Sequence, residues 1–247
     1  ASKAKVKRFL HNDTAQLQRL LTKNIKSSDN DAIELNKVIV SEGVFSMDGD
    51  QADVESLSKL SQQHNALLYL DDAHSIGVIG NKGQGSSSIA DIDIIMGTFG
   101  KSIATSGAFV ACNELLADYL VNFSRHYIYS TAISPALAWA TKKSIEIIQR
   151  DHWRREKITE LSQLLATKLS SSVQLIKNSS SIHAIVIGDE LNTLNVCQKL
   201  REKGIWLSAI RPPTVPNNSS RLRVTITSSH EIKDISYLAN CINEVIT

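Results

Sequence analysis

The chain has 247 residues, 42% of them hydrophobic, with 27 basic and 25 acidic side chains and a formal charge of +2. That length and apolar content suffice for a sizeable core shared by two lobes, and the near-balance of charge carries no footprint for nucleic acid. No apolar run approaches the roughly 18 residues that span a bilayer, and the amino terminus is polar and basic, unlike a signal peptide, so a cytoplasmic protein without a membrane role is expected.

In chain order, Val6 to Lys23 carries Phe9, Leu10, Leu17, Leu20 and Leu21, with Asn12-Asp13-Thr14 as the cap of a helix. Lys37–Val40 reads as a strand leading into a loop from Glu42 to Asp50, and Val54–His64 as a helix. Ala66–Leu70 and Ile92–Met96 are short apolar runs that read as buried strands, joined by a Gly- and Ser-rich stretch from Gly77 to Ser88. A strand at Gly107–Cys112 and a helix at Glu114–Ser124 follow. This alternation predicts a largely parallel sheet covered by helices. From Pro135 to about Ser171 the pattern is helical and bridges into a second lobe, with strands at Ala184–Ile187, Trp206–Ile210 and Leu222–Thr227 and helices around Thr193–Lys203 and Glu231–Ile246. Ser170–Ser172 and Ser179–Ser181 are expected as short solvated turns. The predicted class is therefore α/β: a mostly parallel large domain over 1–150 and a smaller α+β domain over 151–247. Cys112, Cys197 and Cys241 are odd in number and lack zinc spacing, so reduced thiols and no metal site are expected.

The chemistry concentrates at two strand ends. Asp71-Asp72-Ala73-His74, followed by Thr98-Phe99-Gly100-Lys101, places an acid, an imidazole and an amine beyond the carboxyl ends of adjacent strands, where open α/β sheets bind ligands. A carboxylate facing a pyridine nitrogen keeps it protonated and makes the ring an electron sink, and a lysine amine forms a Schiff base. These are the requirements of a pyridoxal phosphate enzyme. Each residue also has an ordinary alternative. Lys101 alone is a solvated cation, Asp71 and Asp72 form a turn, and His74 is a hydrogen-bonded core histidine. Ser46 and Thr98 are hydroxyls that a loop uses locally, and Arg211 and Arg223 are surface cations worth little. Arg221 and Arg223 are close together on one strand, and only one of them is expected to face the site.

Five ordered stretches decide between these readings: Ser41-Glu-Gly-Val-Phe-Ser-Met-Asp-Gly-Asp50, Leu70-Asp-Asp-Ala-His-Ser-Ile-Gly-Val-Ile-Gly80, Gly97-Thr-Phe-Gly-Lys101, Ile128-Tyr-Ser-Thr131 and Ile210-Arg-Pro-Pro-Thr-Val-Pro216. In this order and spacing the sequence resembles the α-oxoamine synthase family of fold-type I pyridoxal phosphate enzymes. The resemblance implies that Lys101 carries the cofactor, Asp71 contacts the ring nitrogen and His74 the ring's oxygen substituent. It also implies that Ser46 lies near the cofactor and that Thr98 contacts its phosphate. Thr131, with Ser130 as a weaker candidate, is implied to reach the phosphate of a neighbouring subunit's cofactor, which makes a homodimer with shared sites. Arg223 matches the carboxylate-binding arginine and Thr214 a substrate-binding position, whereas Tyr127 and Tyr129 read as packing residues. The activity implied is condensation of L-alanine with a pimeloyl thioester, carried on coenzyme A or acyl carrier protein, in the branch that serves biotin synthesis. A glycine-using branch that makes 2-amino-3-ketobutyrate is the alternative, and a noncatalytic partner subunit, against which Lys101 speaks, is a third. The family's glycine-containing phosphate turn and ring-stacking histidine would precede Ala1, so the chain reads as the carboxyl-terminal part of a subunit. Ser75-Ile76 stands where the family commonly has a Gly-Thr-like pair.

Overall fold

A computed structural model describes residues 4–23 and 36–246, so parts of both expected domains at 1–3, 24–35 and 247 lie outside it. The first helix, α1 (Thr14–Thr22), begins where Asp13 accepts the Gln16 amide at 2.7 Å, and it buries Leu17. Strand β1 (Lys37–Glu42) is followed by α2 (Val54–Gln63), whose Asp53 cap accepts the Ser56 amide at 3.1 Å. Strands β2 (Ala66–Asp71), β3 (Ile94–Thr98) and β4 (Ala108–Cys112) complete a sheet in the order β1-β2-β3-β4. The first three run parallel, and β4 returns antiparallel to β3. Helix α2 makes the crossover from β1 to β2, whereas the crossover from β2 to β3 is irregular, with one short 3-10 turn at Gly85–Ser88.

Alternation along the strands covers one face of this sheet. Ile39, Leu68 and Leu70 pack with Leu17, Leu57 and Leu60, while Val38 and Val40 remain 54% and 60% exposed on the other face. Next come α3 (Glu114–Phe123), capped by Asn113, the short α4 (Arg125–Ile128), α5 (Pro135–Arg150) and α6 (Trp153–Lys168). The single long helical stretch expected after Pro135 is thus two helices. Asp151 leaves the helical conformation between them, and its carboxylate accepts Arg150 Nε at 2.7 Å and Arg154 Nε at 3.1 Å.

The second sheet is antiparallel, in the order β5-β6-β8-β7: β5 (Gln174–Leu175), β6 (Ile182–Gly188), β7 (Ser208–Ile210) and β8 (Ser220–Thr225). Helices α7 (Glu190–Glu202) and α8 (Ile232–Ile246), together with α6, enclose a core containing Leu161, Leu165, Ile185, Leu200, Leu222 and Ile242. The fold is the α/β class expected, with the first sheet mixed at its β4 edge. Among the described residues no helix is long and apolar enough to cross a membrane. The turn at 179–181 departs from expectation, because Ser180 is fully buried. Its amide donates to Asn178 Oδ1 at 3.0 Å and its hydroxyl accepts the Ile182 amide at 3.1 Å, so it caps the start of β6 instead of facing water.

Candidate active site

The three parallel strands end side by side. Glu42 of β1 is in register with Asp71 of β2, and Asp71 with Met96 of β3, so that Thr98 ends the third strand two residues further on. The chain is held across these ends by backbone bonds from Gly43 N to Asp71 O and from Asp72 N to Met96 O, both 2.8 Å. Lys101 lies in the turn from β3 to β4. That turn is closed by Phe99 N to Gly107 O at 2.9 Å, Thr105 N to Phe99 O at 2.8 Å and Ala104 N to Lys101 O at 3.0 Å.

The two adjacent aspartates have different surroundings. Asp71 Oδ1 accepts the Ala73 amide at 3.0 Å, which fixes its carboxyl at the strand end. Asp72 is fully buried and accepts both the amide and the hydroxyl of Ser86, at 2.7 and 2.6 Å. Its enclosure is tight enough that a Cβ at position 43 would fall 2.1 Å from Asp72 Oδ1, which explains the glycine there. The Asp72 carbonyl accepts the amides of Ser75 and Ile76, each at 3.0 Å, forming the turn that carries His74. A buried carboxylate without hydrogen bonds is costly, so this clamp rigidifies the loop beside Asp71.

Four charged or titratable groups share one electrostatic environment here. The pKa of His74 falls to about 4, first through desolvation, then through the nearby Lys101 and Arg223 cations, with Asp71 opposing. The imidazole is therefore neutral at pH 7. Lys101 also has a lowered pKa, chiefly from desolvation and secondarily from Arg223, while Asp71 and Glu42 pull it upward. Arg223 comes from β8, between Ala184 of β6 and Ser208 of β7 in register. Its Nε, like the hydroxyl of Thr98, is buried without a hydrogen-bond partner among the described residues. Such donors are rare in a folded chain and mark where an acceptor belongs.

The remaining expected residues stand as follows. The Ser46 amide donates to Glu42 Oε2 at 3.1 Å, which places Ser46 in the loop just beyond the β1 end. Thr131 is exposed beyond α4, and Ser130 is engaged locally through its hydroxyl to the His126 carbonyl. Thr214 is exposed, its amide bonded to Arg211 O at 3.0 Å, and Arg211 in turn reaches Glu190 at 3.0 Å. Among the described residues, neither Thr131 nor Thr214 makes a hydrogen bond to the Asp71–His74–Lys101–Arg223 group. Tyr127 and Tyr129, expected to pack, are 66% and 82% exposed in the single chain. Glu42 received no role from the sequence, although it satisfies the same strand-end criterion that singled out Asp71.

With this geometry in hand, comparison with known proteins is specific. The family described as Aminotransferase class I and II matches residues 1–242. A curated relative from Photobacterium profundum, named 8-amino-7-oxononanoate synthase, is 46% identical over 248 residues, covering 99% of this chain and 62% of the relative. The chain thus spans less than two thirds of that relative's length. Among solved structures, a serine palmitoyltransferase from S. paucimobilis with bound PLP superimposes with a TM-score of 0.86 at 27% identity, covering 95% of this chain and 59% of the other. The 8-amino-7-oxononanoate synthase of Francisella tularensis superimposes with a TM-score of 0.80 at 26% identity, covering 98% and 69% respectively.

Proposed function

Starting from a chain that belongs to the aminotransferase class I and II family, we propose that in the whole subunit it supplies most of a pyridoxal phosphate site for the decarboxylative condensation of L-alanine with a pimeloyl thioester. The product is 8-amino-7-oxononanoate. The observation that carries this reading is that Asp71 at the end of β2, His74 and Lys101 in the turns beyond β2 and β3, and Arg223 from β8 lie close enough to act on one another electrostatically. The name shared by the close relatives supports the choice of substrates.

The donor set suits the cofactor. Among the described residues Thr98 Oγ1 and Arg223 Nε are buried donors without a partner, and Lys101 is an amine with a lowered pKa close to two carboxylates. When bound, pyridoxal phosphate supplies an electron sink for a carbanion at the α-carbon of the amino acid. Lys101 would hold the cofactor covalently at rest and, once the amino group of the substrate has displaced it, would move the α-proton through its freed Nζ. Asp71 would hold a proton on the ring nitrogen, and its carboxyl, fixed by the Ala73 amide, would cost little reorganisation. His74, neutral, would contact the ring's oxygen substituent, while Ser46 from the loop after β1 and Thr98 from the end of β3 would donate, Thr98 to the phosphate. Arg223 orients the alanine carboxylate through two parallel N–H···O bonds, and Thr214 lines the substrate path. The second lobe, 151–247, closes over the large domain, 1–150, and excludes water from the carbanion.

Thr131 belongs to the neighbouring subunit's site in this reading, so the active assembly is a homodimer. The exposed position of Thr131 beside Tyr127 and Tyr129 supports such a surface. A cytoplasmic location accords with the three free cysteines. The acyl group arrives on coenzyme A or acyl carrier protein. Purified full-length subunit loaded with pyridoxal phosphate is expected to turn over L-alanine with pimeloyl thioester in preference to glycine with acetyl thioester. The reverse preference assigns the glycine-using branch, and failure to bind the cofactor overturns the reading.

A further inference from the structure

Residues 44–51, the segment that follows β1, are fastened to the second sheet at several points. Asn178 Nδ2 donates to Asp48 O at 3.1 Å and to Ile182 O at 2.8 Å, and Gln51 Nε2 donates to Ser179 Oγ at 2.9 Å. Gly49, at φ +76°, lies so near β6 that a Cβ there would meet Ile182 O at 2.0 Å. Arg221 Nη1 pairs with Asp48 Oδ1, and the arginine is only 7% exposed. On its other side the segment is held to the start of α1, where His11 Nε2 meets Asp50 Oδ2 at 2.8 Å and Asn12 Nδ2 donates to Asp50 Oδ2 and Gln51 O at 3.0 and 2.9 Å. His11, Asp48 and Asp50 bring possible metal-ligand atoms within 4.8 Å of one another. With a guanidinium and a histidine already bonded to the two carboxylates, the group is a joint between elements and not a cation site.

The joint has a direct line to the candidate site at both ends. Ser46 is two residues before Asp48, its amide tied to Glu42. Arg223 is two residues after Arg221 on β8, so the two share a face of the strand, and its Nε is buried without a partner among the described residues. A buried guanidinium tolerates separation from its carboxylate poorly, so the pair confines β8 to one position against the loop. Bidentate recognition of a carboxylate demands placement of the guanidinium within about half an ångström.

We propose that the Asp48–Arg221 pair is a positioning contact that registers β8 against the loop carrying Ser46 and thereby sets where Arg223 stands relative to Asp71 and Lys101. The inference rests on the reading of Arg223 as the residue that binds the amino-acid carboxylate.

The test uses Asp48→Asn and Asp48→Glu in the full-length subunit. Asp48→Asn keeps the side-chain shape but removes the charge. It is expected to raise the KM for L-alanine about tenfold while kcat and the dissociation constant for pyridoxal phosphate stay within about twofold, with partial recovery in Asp48→Glu. In the cofactor-free subunit, hydrogen exchange should accelerate in Asp48→Asn only within residues 44–51 and 219–225. An unchanged alanine KM alongside faster exchange overturns the proposal, because the pair then holds the fold without placing Arg223. A joint fall of kcat, cofactor affinity and thermal midpoint overturns it as a general loss of structure, and so does unchanged exchange. If the unaltered subunit turns over no amino acid, the proposed reaction fails and with it the role of Arg223. Localised exchange in that case separates the failure of the reaction from that of the pairing itself.

Discussion

Lys101 and Asp71 make the sharpest predictions at the scale of single residues, since one is an amine and the other a fixed carboxylate beside it. In the whole subunit, Lys101→Ala is expected to abolish turnover, and borohydride treatment of the loaded wild-type protein followed by peptide mapping should label Lys101; a label on another lysine would refute the assignment. Asp71→Asn keeps the hydrogen bond from the Ala73 amide and loses the charge. Cofactor should remain bound while exchange of the alanine α-proton slows about a hundredfold or more, the scale of losing one preorganised electrostatic partner. Near-normal exchange, followed by NMR in deuterated water, would mean that another group protonates the ring. The pairing of acid, imidazole and amine is legible from spacing alone, because all three follow apolar runs that end at neighbouring strand termini. Glu42 obeys the same logic, but its motif directs attention to Ser46 instead. Residues two apart on a strand share a face, so nothing in the sequence distinguishes Arg221 from Arg223, and only the ion pair with Asp48 shows where the first one goes.

Among the elements, β2 couples packing to chemistry most directly. Leu68 and Leu70 are fully buried against α2, and Leu70 immediately precedes Asp71. Leu70→Ala is expected to cost about 2–5 kcal/mol, the usual range for a buried leucine whose cavity does not collapse. The denaturant midpoint of the full subunit reports it, and a cost below about 1 kcal/mol would show that the sheet relaxes into the cavity. The strands are recognisable because short continuous apolar runs bounded by polar or glycine-containing turns have few other ways to bury themselves. The break at Asp151 is not, because the apolar spacing continues from α5 into α6 and the acid that interrupts it reads equally well as a solvated helix residue. The short β5 and α4 likewise fall below the length at which periodicity is informative, and pairing with β6 is what makes β5 a strand.

For the molecule as a whole, His183 offers a stability measurement independent of catalysis. It is buried on β6, bonded to Ser162 Oγ of α6 at 2.9 Å, and desolvation lowers its pKa from 6.5 to about 4. The unfolded chain therefore takes up a proton near pH 6.5 that the folded chain accepts only near pH 4. Stability is accordingly full above the first value, falls as pH drops between the two, and has lost this contribution below the second, by about 3 kcal/mol in all. His74 titrates in the same window, so the diagnostic quantity is the difference between wild type and His183→Gln in urea unfolding from pH 7 to pH 4. Parallel curves would show that His183 does not carry the dependence. By itself the sequence determined the α/β class, the strand ends and the clustering of Asp71, His74 and Lys101, since these follow from local periodicity and from residues close in the chain. Arg223, 122 positions after Lys101, was implied at the site only by the family resemblance and by no local pattern, and tertiary structure alone decided that Asp72 is sealed behind Gly43 and Ser86 and that residues 44–51 join the two sheets. Each of those depends on contacts between segments distant in sequence, and no local pattern encodes which buried partner a charged side chain will meet.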